Sequence, residues 1–137
     1  MPDDEAFAAA LEIEVLGADF VDGVPAQAEI ERLVTLALAS AGIHDGHLAI
    51  EFVDGARIAA LNEQHRGKMG PTDVLSFPID ELGDAAGPRE LGDIVISPED
   101  TSDLREAIVH GTLHLVGMDH ETDDGEMLAL QAELLSW

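Results

Sequence analysis

The chain has 137 residues, enough for one domain with a real core, and its 46% apolar and 26% charged residues make a globular composition and not a disordered one. It holds no cysteine, which excludes disulfides and thiolate metal sites, and no apolar run of the roughly 18 residues that span a bilayer. Twenty-nine acids against six bases leave a net charge of −23, which repels a polyanion or else suits a high-salt habitat; composition fits both.

The N-terminal "MPDDEAFAAALEIEV" begins with acid where a signal peptide has a basic segment, so the expectation is a soluble, cytoplasmic protein with no membrane partner. "LEIEVLG" (11–17) alternates apolar and acidic residues, the period of a half-exposed strand. In "AQAEIERLVTLALASAG" the residues Ile30, Leu33, Val34, Ala37 and Leu38 form a helical stripe, with Pro25 near its start and Gly42 just past its end. "HLAIEFVD" (47–54) is a second predicted strand, and "GARIAALNEQHRG" (55–67) a short helix stopped by Gly67.

A loop, "KMGPTDV", leads into a third strand, "VLSFPI" (74–79), and "DELGDAAGPREL" has the Gly, Asp and Pro of an exposed connection. "LGDIVIS" (91–97) is the fourth strand. Thr101, Ser102 or Asp103 then offers N-cap chemistry for a helix running to about Val116, ended by Gly117. Asp123 or Asp124 is placed to start a last helix, "GEMLALQAELLSW", with Met127, Leu130 and Leu134 on one face. The order β-α-β-α-β-β-α-α gives an α+β fold: a single domain over residues 1–137, with helices packed on a four-stranded sheet whose strand order the pattern leaves open.

Three of the six histidines fall within "IVHGTLHLVGMDHE". His110 and His114 are four apart in a predicted helix, so their imidazoles share a face and can converge on one ion at roughly 2.0–2.1 Å each. Gly117 lets the chain bend sharply out of the helix, and His120 can return as a third nitrogen. Three imidazoles with an open position describe a catalytic metal site at a helix end, zinc by preference, that makes a nucleophile of water near neutral pH. The plainer alternative, histidines that merely satisfy hydrogen bonds at a helix boundary, accounts poorly for three at this spacing around a glycine. His44, His47 and His65 lack ligand spacing. Asp119 can orient a histidine or cap the turn, and the plainer readings of Asp73 and Ser76 are a turn cap and a partner for backbone groups.

Two families share this histidine spacing. In metzincin proteases a glutamate follows the first histidine and acts as general base; here that residue is Gly111, so a peptidase reading lacks its base. "HGTLHLVGMDH" closely resembles the H-G-x-L-H-L-x-G-x-D-H signature of the YbeY family of endoribonucleases. "LNEQHRGKMGPTDVLSFP" (61–78) resembles that family's L-N-x-x-x-R-x-x-x-x-P-T-D-V-L-S-F-P segment, and "LGDIVIS" its L-G-D-I strand. The likeness runs from about Leu61 to His120, in the family's order. The stretch from Pro98 to His110 is shorter than the family's, and aromatic residues for base stacking are few.

The resemblance implies a metal-dependent endoribonuclease specific for single-stranded RNA. It would act in 16S rRNA 3′-end maturation and ribosome quality control, in the company of the small ribosomal subunit and its assembly factors. It makes His110, His114 and His120 the ligands of one divalent ion and places Arg66 on a functionally important arginine. A guanidinium is well shaped to grip a phosphodiester, although alone Arg66 would read as a solvated helix-end cation. Arg57, Arg66 and Lys68 lie within twelve residues and offer a local positive patch for RNA in a negative shell, or else three ordinary surface cations. The alternatives are a metal-dependent hydrolase of another class, such as a peptidase, and a non-catalytic ribosome-assembly factor with a structural metal.

Overall fold

Leu11, Ile13 and Val15 turn inward while Glu12 and Glu14 face water, and this alternation builds strand β1 (Leu11–Leu16) in a computed structural model that describes residues 11–17, 24–66, 73–78, 90–118 and 125–136. The other elements are helix α1 (Gln27–Ser40), strand β2 (Gly46–Phe52), helix α2 (Gly55–Arg66), strand β3 (Val74–Pro78), strand β4 (Glu90–Ile96), a 3₁₀ turn (Pro98–Asp100), helix α3 (Leu104–Leu115) and helix α4 (Glu126–Leu135). Most of the 80–91 connection, the 67–72 segment, Asp119, His120, Asp123 and Asp124 lie outside the described residues.

The strands form one sheet in the order β1-β2-β4-β3. β1, β2 and β4 run parallel, with Ile13 opposite Leu48 and Ile50 opposite Ile94. β3 is an antiparallel edge strand on β4, with Val74 opposite Ile96 and Ser76 opposite Ile94. Parallel neighbours need a crossover, and α1 supplies the one between β1 and β2. Consecutive β-branched residues in β4 serve two layers. Ile94 and Ile96 face the main core with α1, α3 and α4, whereas Val95 joins Leu75 and Ile58 under α2 on the other face. The sheet is therefore covered on both faces around β3 and β4, whereas Glu12 and Glu14 of β1 and Glu51 of β2 are exposed.

The stripe expected on α1 is buried as read, and both α1 and α3 end in the same motif. At α3, Gly117 takes φ +102° and donates its N–H to His114 O at 3.0 Å, while Met118 N donates to Leu113 O at 3.0 Å. This is a Schellman closure, with the following apolar side chain, Met118, packed on the core. Gly42 repeats it after α1. Of the three candidate caps for α3, Asp103 takes the position and accepts the N–H of Glu106 at 3.2 Å.

Some boundaries differ from expectation. β2 stops at Phe52 because Asp54 caps α2, its Oδ1 accepting from Arg57 N at 2.8 Å. The N-cap of α4 is Gly125, at φ 102°, and not Asp123 or Asp124. No helix among the described residues is long and apolar enough to cross a membrane.

Candidate metal centre

Helix α3 lies deep in the fold. Ala107, Ile108, Val109, Gly111, Thr112, Leu113 and Leu115 are all buried. Beyond the first turn, where Leu104 and Arg105 are half-buried, one stripe is left, at Glu106, His110, His114 and Gly117, where a spacing of three to four residues keeps successive positions on one line. The two histidines are half-buried on that stripe, their ring centres 4.7 Å apart and the rings edge to face at 75°. Two imidazoles bound to one tetrahedral ion at roughly 2.0–2.1 Å per nitrogen have ring centres about 5 Å apart, so this pair suits a shared ion. His114 is also in the last turn of the helix, where unpaired carbonyls favour positive charge.

His110 has a partner on another helix. Its Nδ1 is 2.8 Å from Oε1 of Gln131, an α4 residue that is 8% exposed. Gln131 follows Met127 by four residues and precedes Leu134 by three, so it occupies the apolar seam of α4. A polar residue in such a seam is the available signal, because a buried amide without a partner is costly.

Gly111 has a packing reason. A Cβ built there would stand 2.7 Å from Cγ2 of Ile94 and 2.9 Å from Cγ2 of Val74, so the helix backbone rests directly on β4 and β3. Ser76 Oγ, on β3, donates to Gly111 O at 2.7 Å and pins the two elements together. Position 111 thus faces the sheet and not the histidine stripe. Close packing alone demands glycine, and its missing carboxylate separates hydrolase classes less sharply than the sequence suggested. Ser76 does what its plainer reading expected, satisfying a backbone carbonyl.

Other sequence-flagged residues are dispersed. Arg66 is the last residue of α2, and residues 67–72 separate it from Asp73, which directly precedes β3, the strand beneath Gly111. Arg57 lies in the first turn of α2, nine residues and about 14 Å of helix from Arg66, and Lys68 lies outside the described residues. Arg32 and Arg105 are engaged elsewhere. Arg32 donates to both oxygens of Glu29 at 2.9 and 2.8 Å, Arg105 adds 3.0 Å, and these hydrogen bonds, Arg32 first, hold the Glu29 carboxyl down to about 2. Among the described residues no group of three or more potential metal ligands comes together; His120 is outside them.

His47 bridges strands and joins no ligand set. Its Nδ1 donates to Glu90 at 2.9 Å and its Nε2 to Glu14 at 3.2 Å when the ring is charged. The Glu90 hydrogen bond is the main cause that raises its pKa above the ordinary 6.5, against partial burial. A cleft of about 790 Å³ beside it is lined by Glu12, Glu14, Glu31, Thr35 and His44 among others, and touches neither histidine of α3.

Comparison with known proteins agrees with the motifs. The family model described as Endoribonuclease YbeY matches residues 19–137. The Endoribonuclease YbeY of Corynebacterium efficiens is 41% identical over 92% of this chain and 74% of its own. That of Azorhizobium caulinodans is 40% identical over 92% and 91%. The solution structure of TM1509 from Thermotoga maritima is 30% identical, covers 90% of this chain and 87% of that one, and superposes with a TM-score of 0.51. With the family model spanning most of its length, the chain belongs to the YbeY endoribonuclease family.

Proposed function

We propose that this chain is a metal-dependent endoribonuclease for single-stranded RNA, acting in the cytoplasm on the 3′ end of 16S rRNA and in ribosome quality control with the small subunit and its assembly factors. His110, His114 and His120 hold one divalent ion, zinc, and Arg66 engages the phosphate. The observation that carries the reading is the paired imidazoles on the open stripe of α3, followed at once by a turn that redirects the chain ahead of His120. A divalent ion supplies Lewis acidity toward a phosphoryl oxygen and a nucleophile from water near neutral pH.

The chain's own part is positional. Burial of the remaining faces of α3 fixes the azimuth of His110 and His114, and the Ser76 contact fixes the height of the helix over the sheet. Arg66 presents a planar fork that can take two oxygens of one phosphodiester and oppose the charge that grows there. The net charge of −23 resists RNA held elsewhere, so raising salt should reduce binding less than it does for a basic nuclease.

Metal analysis joined to an RNA cleavage assay tests the reading. Wild type should purify with close to one equivalent of zinc and cut single-stranded RNA. His114→Ala should lose both properties, and Arg66→Ala should keep the metal while losing on the order of 10²-fold or more in rate. Full metal retention in His114→Ala refutes the ligand set, and unimpaired cutting by Arg66→Ala refutes the phosphate role. Binding to small subunits without turnover would favour the assembly-factor reading.

A further inference from the structure

We infer that Gln131 is a positioning residue that sets the tautomer and ring orientation of His110 and thereby prepares its Nε2 as a metal donor; this rests on the metal reading above. The geometry is specific. Gln131 Oε1 lies 2.8 Å from His110 Nδ1, and a carbonyl oxygen only accepts, so Nδ1 carries the proton. A neutral imidazole has one N–H, and with it on Nδ1 the lone pair is left on Nε2. The orientation is built in from both sides. α3 is packed against the sheet on the Gly111 side, and Gln131 is held in the buried seam of α4 between Met127 and Leu134.

A buried amide in that seam is otherwise a liability, since leucine there would pack on the same apolar neighbours without needing a partner. Its bond to His110 supplies the partner. An acceptor behind a ligating imidazole also raises the basicity of the ligating nitrogen, and losing one typically weakens metal binding about 10–100-fold. Gln131 would therefore act only through His110, touching neither metal nor RNA.

The test uses the full chain, stripped of metal with a chelator, as wild type, Gln131→Leu and Gln131→Glu. Nitrogen NMR of the neutral His110 ring reports which nitrogen bears the proton, and competition with a chromophoric chelator gives the affinity for zinc alone. Wild type and Gln131→Glu should show the Nδ1–H form, and Gln131→Leu a mixture of tautomers with zinc binding about 10–100-fold weaker. Gln131→Glu, which keeps an acceptor, should bind zinc at least as well as wild type. An Nε2–H ring in wild type, as would follow if the amide presented its NH₂, overturns the proposal. So does unchanged zinc affinity in a folded Gln131→Leu, or equal weakening in both variants, which is what a purely structural role produces. Were wild type to bind no zinc, the metal reading would fall and the proposal with it, even if the tautomer result still revealed the Gln131 hydrogen bond.

Discussion

Replacing Gly111 by alanine sets two effects of known sign against each other. A glycine inside a helix is worse than alanine by about 0.8–1.0 kcal/mol, so on an exposed helix the change would stabilise. Here the new methyl would arrive 2.7 Å from Ile94 Cγ2 and 2.9 Å from Val74 Cγ2. Both are methyls on β-branched side chains with little χ1 freedom, in strands that are themselves hydrogen-bonded, so relief requires α3 to rise from the sheet. Overpacking of this kind costs about 1–3 kcal/mol, and two simultaneous contacts place it in the upper half of that range. The expected net loss is about 1–2 kcal/mol, or about 3–6 °C in melting temperature per kcal/mol for a chain of this size. Urea unfolding of Gly111→Ala, Val74→Ala and the double variant measures it. Shortening Val74 removes one of the two obstructions, so the double variant should be more stable than the sum of the single changes predicts, by at least 0.5 kcal/mol or so. A Gly111→Ala protein as stable as wild type, or strictly additive losses, would refute the close-packing account.

Two titrations make further checks. Glu29 is held at about 2 against an ordinary 4.5, so its contribution is complete above the higher value and is lost as pH falls toward the lower one. Glu29→Gln should flatten that part of the acid limb in thermal melts between pH 5 and pH 2, and added salt should shrink the difference; an unchanged limb at low salt would contradict it. His47 runs the other way. Its raised pKa means that its contribution is whole below the ordinary 6.5 and disappears as pH rises through the folded value. Proton NMR should find the His47 midpoint above 6.5, and Glu90→Gln should move it down more than Glu14→Gln does, because the Glu90 contact is the shorter.

Local chemistry accounts for what was legible in the chain. The α1 stripe, the glycine stops at Gly42 and Gly117 and a cap among residues 101–103 all depend on neighbours within a turn or two, and each is found close to where it was read. Sheet order was not legible, because pairing β4 between β2 and β3 joins segments whose side chains are equally apolar in several arrangements. In the sequence, Gly111 stands out only for the chemical group it lacks. Its decisive contacts, to Ile94 and Val74, are remote in sequence, and no periodicity reports them. Gln131 is hard to read from the sequence for a related reason. Its role exists only after α4 is laid along α3, and in the sequence it is one polar letter beside an apolar stripe. The histidine pair was legible because four-residue spacing on a helix is itself a spatial statement; the arginines were not, since Arg57 and Arg66 are near in number but sit at opposite ends of α2.

The Schellman closure at Gly117 also bears on how cheaply a third donor is recruited. Met118 packs against the core and α4 begins at Glu126, so in sequence His120 falls between two placed residues. Its Cα can be no more than about 7 Å from that of Met118, two residues away. For the proposed centre this is a chelate effect: once His110 and His114 engage an ion, a third imidazole on so short a tether meets it at an effective concentration of about millimolar or above. Lengthening the span, while leaving every ligand in place, would dilute that donor and loosen the metal.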